Sequence, residues 1–157
     1  MKPPYDAAKL DRLMDEAGVD LILTNTQHNA RYLTGGYFYH FHERFDAMGL
    51  GRYMALCGIP KGAPEHAFLI GERREAGQFE DQNLWIPELI VAERLPAVAA
   101  EAAAKAIKTR GLENCTIAVE MDFLPASSMA ALSMPLPGAR FAEARGIMEE
   151  LRAIKTP

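Results

Sequence analysis

Histidine and carboxylate side chains come closest together in the segment His40-Phe41-His42-Glu43. On an extended strand, His40 and His42 would project to the same face two residues apart, a spacing that can bind a metal ion. The surrounding segment lacks the alternation of a strand, and no third ligand follows at a useful spacing. We therefore interpret it as a solvent-facing or interface loop and predict no metal site there.

The two thiols, Cys57 and Cys115, both lie in apolar, strand-like stretches. Two cysteines do not make a disulfide framework, and the absence of a Cys-x-x-Cys pair argues against a structural zinc site. We predict two buried, reduced cysteines in a cytoplasmic protein.

The composition excludes several classes of protein. The chain has 157 residues, the size of one domain, with 49% hydrophobic and 24% charged residues, as in soluble globular proteins. A net charge of -4 with scattered basic residues argues against a nucleic-acid partner. The sequence has neither the apolar run of a secretory signal nor 18 consecutive apolar residues, so we predict no membrane span.

Helix and strand signals alternate along the chain, which predicts a mixed α and β domain. Asp6 and Gly18 fit the two ends of the first helix, and Pro96 and Gly111 bracket an alanine-rich one. Strands are predicted at 19–23, 53–59, 67–70, 88–91, 116–119 and 139–142. Helices are predicted at 7–17, 28–33, 96–110, 125–132 and 146–154. The strands at 53–59 and 67–70 form a hairpin around the turn-rich residues 60–64.

Four motifs, in this order, resemble the amino-terminal domain of the creatinase and Xaa-Pro peptidase family, which includes prolidase and aminopeptidase P. They are Glu16-Ala-Gly-Val-Asp-Leu-Ile-Leu23, His28-Asn-Ala-Arg-Tyr-Leu-Thr-Gly35, Ile117-Ala-Val-Glu120 followed by Asp122 and Leu124-Pro125, and Leu151-Arg-Ala-Ile-Lys-Thr-Pro157. The last is similar to the family's junction into its catalytic domain. The resemblance covers residues 8 to 157 and is weakest from 37 to 95.

The resemblance implies an α/β fold with a ribonuclease H-like arrangement, in which helices flank a mixed central sheet. Residues 1–157 would form this single domain, and the catalytic domain of pita-bread fold is expected after residue 157. In relatives, two aspartates, a histidine and two glutamates of that second domain hold two metal ions, commonly manganese or cobalt, which activate a water. We therefore expect no catalytic residue, metal site or cofactor in this chain, and no activity from it alone.

The resemblance also implies three substrate-binding candidates, Arg52, His40 and His42. Leu50-Gly51-Arg52 is similar to an aromatic-Gly-Arg stretch of creatinase-like relatives, whose arginine grips the substrate carboxylate. A guanidinium suits that role because it donates two parallel hydrogen bonds. In related dimers the loop corresponding to 37–45 reaches the partner's catalytic pocket. The alternatives are a surface arginine and a loop packed on its own domain.

The remaining motif residues are interpreted as structural. Asn29 and the neighbouring threonines can cap the short helix, while Tyr32 packs inward. Asp122 is interpreted as a turn residue. Trp85 is expected to pack in the core or at a domain interface.

The expected function is that of a non-catalytic domain in a cytoplasmic, homodimeric hydrolase, a Xaa-Pro dipeptidase or aminopeptidase. It would shape the active site around a peptide substrate and contact its own catalytic domain. One alternative is the same domain in a creatinase-like hydrolase of small zwitterions, to which Arg52 is equally suited. A second alternative is a stand-alone binding or oligomerisation module.

Overall fold

The computed structural model describes residues 2–36, 54–73, 76–81, 84–93 and 95–153. The three substrate-binding candidates, His40, His42 and Arg52, lie outside these ranges, as does the whole loop 37–45. The same holds for Tyr53, where we predicted a strand to begin, and for the last four residues of the junction motif.

Helix and strand boundaries follow the local signals in the sequence. The helices are α1 (Ala7–Ala17), α2 (Gln27–Thr34), α3 (Gly77–Asp81), α4 (Pro96–Thr109), α5 (Ala126–Ser133) and α6 (Arg145–Ala153). The strands are β1 (Leu21–Thr24), β2 (Leu56–Pro60), β3 (Phe68–Glu72), β4 (Glu88–Ala92), β5 (Thr116–Val119) and β6 (Arg140–Glu143). The Asp6 side chain accepts a hydrogen bond from the Lys9 backbone N–H at 2.9 Å, and Gly18 ends α1 with a φ of 63°.

The six strands form one mixed sheet in the order β4-β3-β2-β1-β5-β6. The central strand β1 is antiparallel to β2 and parallel to β5, so Leu21 lies between Pro60 and Ile117. The predicted hairpin of β2 and β3 is confirmed, and β3–β4 and β5–β6 are parallel pairs. Pro60, which we predicted in the turn, is instead the last residue of β2. The end of a strand tolerates proline because it requires fewer ladder hydrogen bonds.

Helices cover both faces of the sheet, since alternate residues of each strand point to opposite sides. On β1, Ile22 points toward α1, α2 and α6, whereas Leu21 and Leu23 point toward α4 and α5. The alanines of α4 that face the sheet are buried, namely Ala99, Ala100, Ala103, Ala104 and Ala106. The predicted mixed sheet with flanking helices is confirmed and is consistent with a ribonuclease H-like arrangement. No helix in the described part of the chain could cross a membrane.

Candidate functional site

Glu120 follows the last residue of β5 and lies against the start of α2. Strands β1 and β5 run parallel with Leu23 opposite Val119, so their carboxyl ends meet at one edge of the sheet. Asn25 and Thr26 follow β1 at that edge and lead directly into α2. The topology therefore brings Glu120 to the amino terminus of a helix that lies more than 90 positions earlier in the chain.

The Glu120 carboxylate is almost completely buried, with 3% of the residue exposed, and accepts four hydrogen bonds. The backbone N–H groups of Asn25 and Thr26 donate to Oε2 at 2.6 and 2.7 Å. The Thr26 hydroxyl and the Asn29 side-chain amide donate to Oε1 at 2.5 and 2.6 Å. Burying a carboxylate is costly unless such donors replace water, and here both oxygens are supplied.

Glu120 takes the place of a local cap for α2. Thr26 is the N-cap residue, but its side chain makes no capping hydrogen bond, because the hydroxyl is directed to Glu120 instead. A negative charge at the amino terminus of a helix also interacts favourably with the helix dipole. Asn29, which we predicted to have a structural role within its own short helix, also connects α2 to the carboxylate of Glu120.

Asn29 continues the network to the last turn of α6. Its side-chain oxygen accepts a hydrogen bond from Nη1 of Arg152 at 2.9 Å, and the residue is only 4% exposed. Glu120, Asn29 and Arg152, which we call the Glu120 network, thus join β5, α2 and α6. They belong to the third, second and fourth motifs of the sequence, so three patterns that are far apart in the chain meet at one place.

A cleft of about 290 Å³ opens beside the Glu120 network. Across it, Arg145 forms an ion pair with Asp122, so the predicted turn residue also holds the start of α6. The Glu143 carboxylate accepts a hydrogen bond from the Arg145 backbone N–H at 2.9 Å. The lining comprises His28, Asn29, Glu120, Asp122, Phe123, Glu143, Arg145, Glu149 and Arg152.

This arrangement is suited to holding elements together rather than to chemistry. All four of the strong contacts of Glu120 are to protein donors, which leaves it poorly placed to take a proton from a substrate. Within the described ranges, no group of three or more His, Cys, Asp or Glu side chains could hold a metal ion. Sequence reasoning placed Glu120 in a motif but missed its role, although a glutamate directly after a buried strand was a usable signal.

Trp85 packs on its own domain. Its indole N–H donates to the backbone oxygen of Leu33 at 2.7 Å, and its ring meets Tyr5 edge-on with centroids 5.8 Å apart. The Tyr5 ring also lies 6.4 Å from that of Tyr32. Trp85 is half-buried and packs against the core, in agreement with the first of the two predicted positions; the second, a domain interface, stays a prediction.

The two cysteines differ in burial, which corrects the prediction that both are buried. Cys57 is fully buried in β2, whereas Cys115, one residue before β5, is half-buried; both are free thiols. Burial, followed by the negative charge of Glu120, raises the pKa of Cys57. Burial, followed by the charge of Asp20, raises the pKa of Cys115 to about 11.

We expect the Cys115 thiol to react slowly with alkylating reagents. In a Cys57→Ala background at pH 7.5, alkylation by iodoacetamide should be at least about 100-fold slower in the folded chain than in urea, because the thiolate is the nucleophile. The raised pKa means that the rate should keep increasing with pH until close to 11. A plateau between pH 8 and 9 would contradict this assignment.

The chain was compared with protein families and with curated protein sequences. The family described as the creatinase/prolidase N-terminal domain matches residues 7–154. No curated protein sequence matches the chain.

Solved structures match over nearly the whole chain. The Xaa-Pro dipeptidase from Bacillus anthracis shares 27% identity, with a TM-score of 0.67 over 96% of this chain and 37% of that one. The chain thus spans little more than a third of that enzyme. The N-terminal domain of the cytoplasmic peptidase PepQ from Mycobacterium tuberculosis H37Rv shares 20% identity, with a TM-score of 0.65 over 93% of this chain and 97% of that one.

A third similar structure, the X-Pro aminopeptidase from Thermotoga maritima, has a TM-score of 0.68 at 16% identity and supports the fold. It aligns with 96% of this chain and 36% of its own. Because the family match covers almost every residue, including those of the Glu120 network, this chain belongs to the creatinase/prolidase N-terminal domain family.

Proposed function

We propose that this chain is the non-catalytic amino-terminal domain of a metal-dependent Xaa-Pro peptidase. The observation that carries the proposal is its alignment with the Bacillus anthracis Xaa-Pro dipeptidase, which takes up 96% of this chain and leaves most of that enzyme unmatched. The unmatched part has room for a catalytic domain. The peptidase names of the similar structures favour this function over a creatinase-like hydrolase or a stand-alone module.

The proposed role is to wall one side of the active site, to limit substrate length and to contribute to a homodimer. We place the two divalent metal ions, manganese or cobalt, in the second domain, as the family resemblance implies. The saturated Glu120 network supports a structural role for this edge of the sheet. The cytoplasmic peptidase from Mycobacterium tuberculosis supports a cytoplasmic location.

The test uses the polypeptide encoded by the complete reading frame, purified with manganese. We expect it to hydrolyse Xaa-Pro dipeptides, or longer peptides that have proline as the second residue. Peptides of the same sequence with glycine in place of that proline should remain intact. The chain of residues 1–157 should be inactive on all of them. Hydrolysis of creatine without Xaa-Pro cleavage would support the creatinase-like alternative and contradict the proposal.

Arg52 is proposed to bind the substrate carboxylate in the complete enzyme. Arg52→Ala should raise KM by about 10- to 100-fold, as expected for loss of a bidentate charge-assisted pair worth about 1.5–3 kcal/mol, while kcat changes less. Arg52→Lys should recover only part of the loss, because a lysine cannot donate the parallel pair. Arg12→Ala, at an exposed arginine of α1 that pairs only with Glu16 of the same helix among the described residues, serves as the control and should leave KM unchanged. Unchanged kinetics in Arg52→Ala would remove Arg52 from the substrate site.

A further inference from the structure

The edge of the sheet that carries Glu120 also holds two large apolar side chains in water. Phe123 is 60% exposed and Met121 is 45% exposed, and both lie in the turn between β5 and α5. The backbone of this turn is anchored, since Asn25 Nδ2 donates to the Phe123 backbone oxygen at 2.9 Å. We call Met121, Phe123 and the adjoining cleft the Phe123 face. Aromatic residues and methionine are both enriched at protein interfaces relative to the rest of the surface.

The last described helix lines the same cleft from its first residue to its final turn. Arg152 lies in the final turn of α6 and lines the cleft together with Phe123. Its guanidinium is held by Asn29, which is itself held by Glu120. The Glu120 network therefore fixes the position from which the chain continues after α6.

Several polar side chains of the cleft are already engaged in contacts within the protein. Arg145 pairs with Asp122, Arg152 with Asn29, and Glu120 with four donors. A small charged ligand that bound to these side chains would have to break these contacts. A protein surface can instead cover the apolar side chains and leave the pairs intact at its rim.

We propose that the Phe123 face docks the second domain of the same polypeptide. The proposal rests on the proposed function, which supplies that domain. Two observations select this occupant: the last described helix lies along this face, and most of the Bacillus anthracis dipeptidase lies outside the region that matches this chain. The second domain is thus tethered next to the exposed Phe123, at a high effective concentration.

Thiol labelling of the complete polypeptide tests the proposal. Phe123→Cys and the control Met134→Cys are each made in a Cys57→Ala, Cys115→Ser background. Met134 is 81% exposed and directly follows α5, at the end of that helix away from the turn that carries Phe123. Both introduced thiols should react with a maleimide at similar rates in residues 1–157. In the complete polypeptide, the thiol of the Phe123→Cys variant should react at least about tenfold more slowly, as expected for a side chain covered by a docked domain. The thiol of the Met134→Cys variant should react at an unchanged rate.

The Phe123→Cys substitution could itself weaken docking. Hydrogen exchange is therefore also measured on the unmutated protein. Backbone amides of residues 120–126 should exchange more slowly in the complete polypeptide than in residues 1–157, and those of 133–139 should not differ. Equal labelling and equal exchange in the two forms would overturn the proposal. If the Phe123 face in residues 1–157 alone became more protected from exchange as the protein concentration increased, a second copy of this chain would be the occupant, and the proposal would be overturned.

Xaa-Pro hydrolysis by the same preparations separates this inference from the proposed function. An active enzyme with an unprotected Phe123 face would leave the function standing and refute the docking. A protected face in a polypeptide with no Xaa-Pro activity would support the docking and refute the function. A reading frame that encodes no second domain would overturn both.

Discussion

Glu120→Ala is expected to lower the free energy of unfolding by about 3–5 kcal/mol, because each buried donor left without an acceptor costs about 1–3 kcal/mol. Four donors lose their acceptor at once, including the backbone N–H groups of Asn25 and Thr26. The start of α2 loses its cap, and Asn29 keeps its contact with Arg152 but loses the one with Glu120. Urea unfolding followed by fluorescence of Trp85, the only tryptophan, measures the change.

Two further variants show whether the loss of stability comes from the buried hydrogen bonds of Glu120 or simply from the loss of a negative charge. Glu143→Ala removes an exposed carboxylate that accepts one backbone hydrogen bond at the start of α6, and should cost only about 1 kcal/mol. Glu120→Gln preserves shape but turns an NH₂ group toward donors, so it should recover little of the stability. Equal losses in Glu120→Ala and Glu143→Ala would show that the network does not hold α2 in place.

Much of the fold was predictable because its signals are local. The cap at Asp6, the left-handed Gly18 and the β-branched run of Thr116–Val119 each specify a boundary within a few residues, and the structure places those boundaries as predicted. The pairing of β2 with β3 was also local, since a short turn joins them. Such features depend on propensity, capping and hydrophobic alternation, all of which can be read along the chain.

The Glu120 network could not be predicted in the same way. Glu120 and Asn29 are 91 positions apart, and Asn29 and Arg152 are 123 apart. They meet only because β1 pairs in parallel with β5, a choice that no local pattern specifies. Family resemblance identified the motifs that contain these residues without showing that they touch. The three substrate-binding candidates stay predictions, since they lie outside the described residues.

Gly58→Ala is expected to destabilise the chain by about 3 kcal/mol, at the upper end of the usual cost of overpacking a core. Gly58 lies in β2 directly opposite Phe68 of β3, and the phenylalanine ring covers it. A Cβ at position 58 would overlap that ring, which is fully buried and is also held by the Arg110 guanidinium, 4.5 Å from its centroid. The glycine is therefore required for space.

Two comparisons make that explanation testable by urea unfolding. Gly146→Ala adds the same methyl group in α6, where nothing lies within 4 Å, so stability should stay equal or rise by up to about 1 kcal/mol. Adding Phe68→Leu to Gly58→Ala removes the overlapping ring atoms, so the double variant should lose less than the sum of the two single losses. Additive losses would mean that the ring does not exclude a side chain at position 58. The cost of the alanine would then have to arise from the backbone of β2.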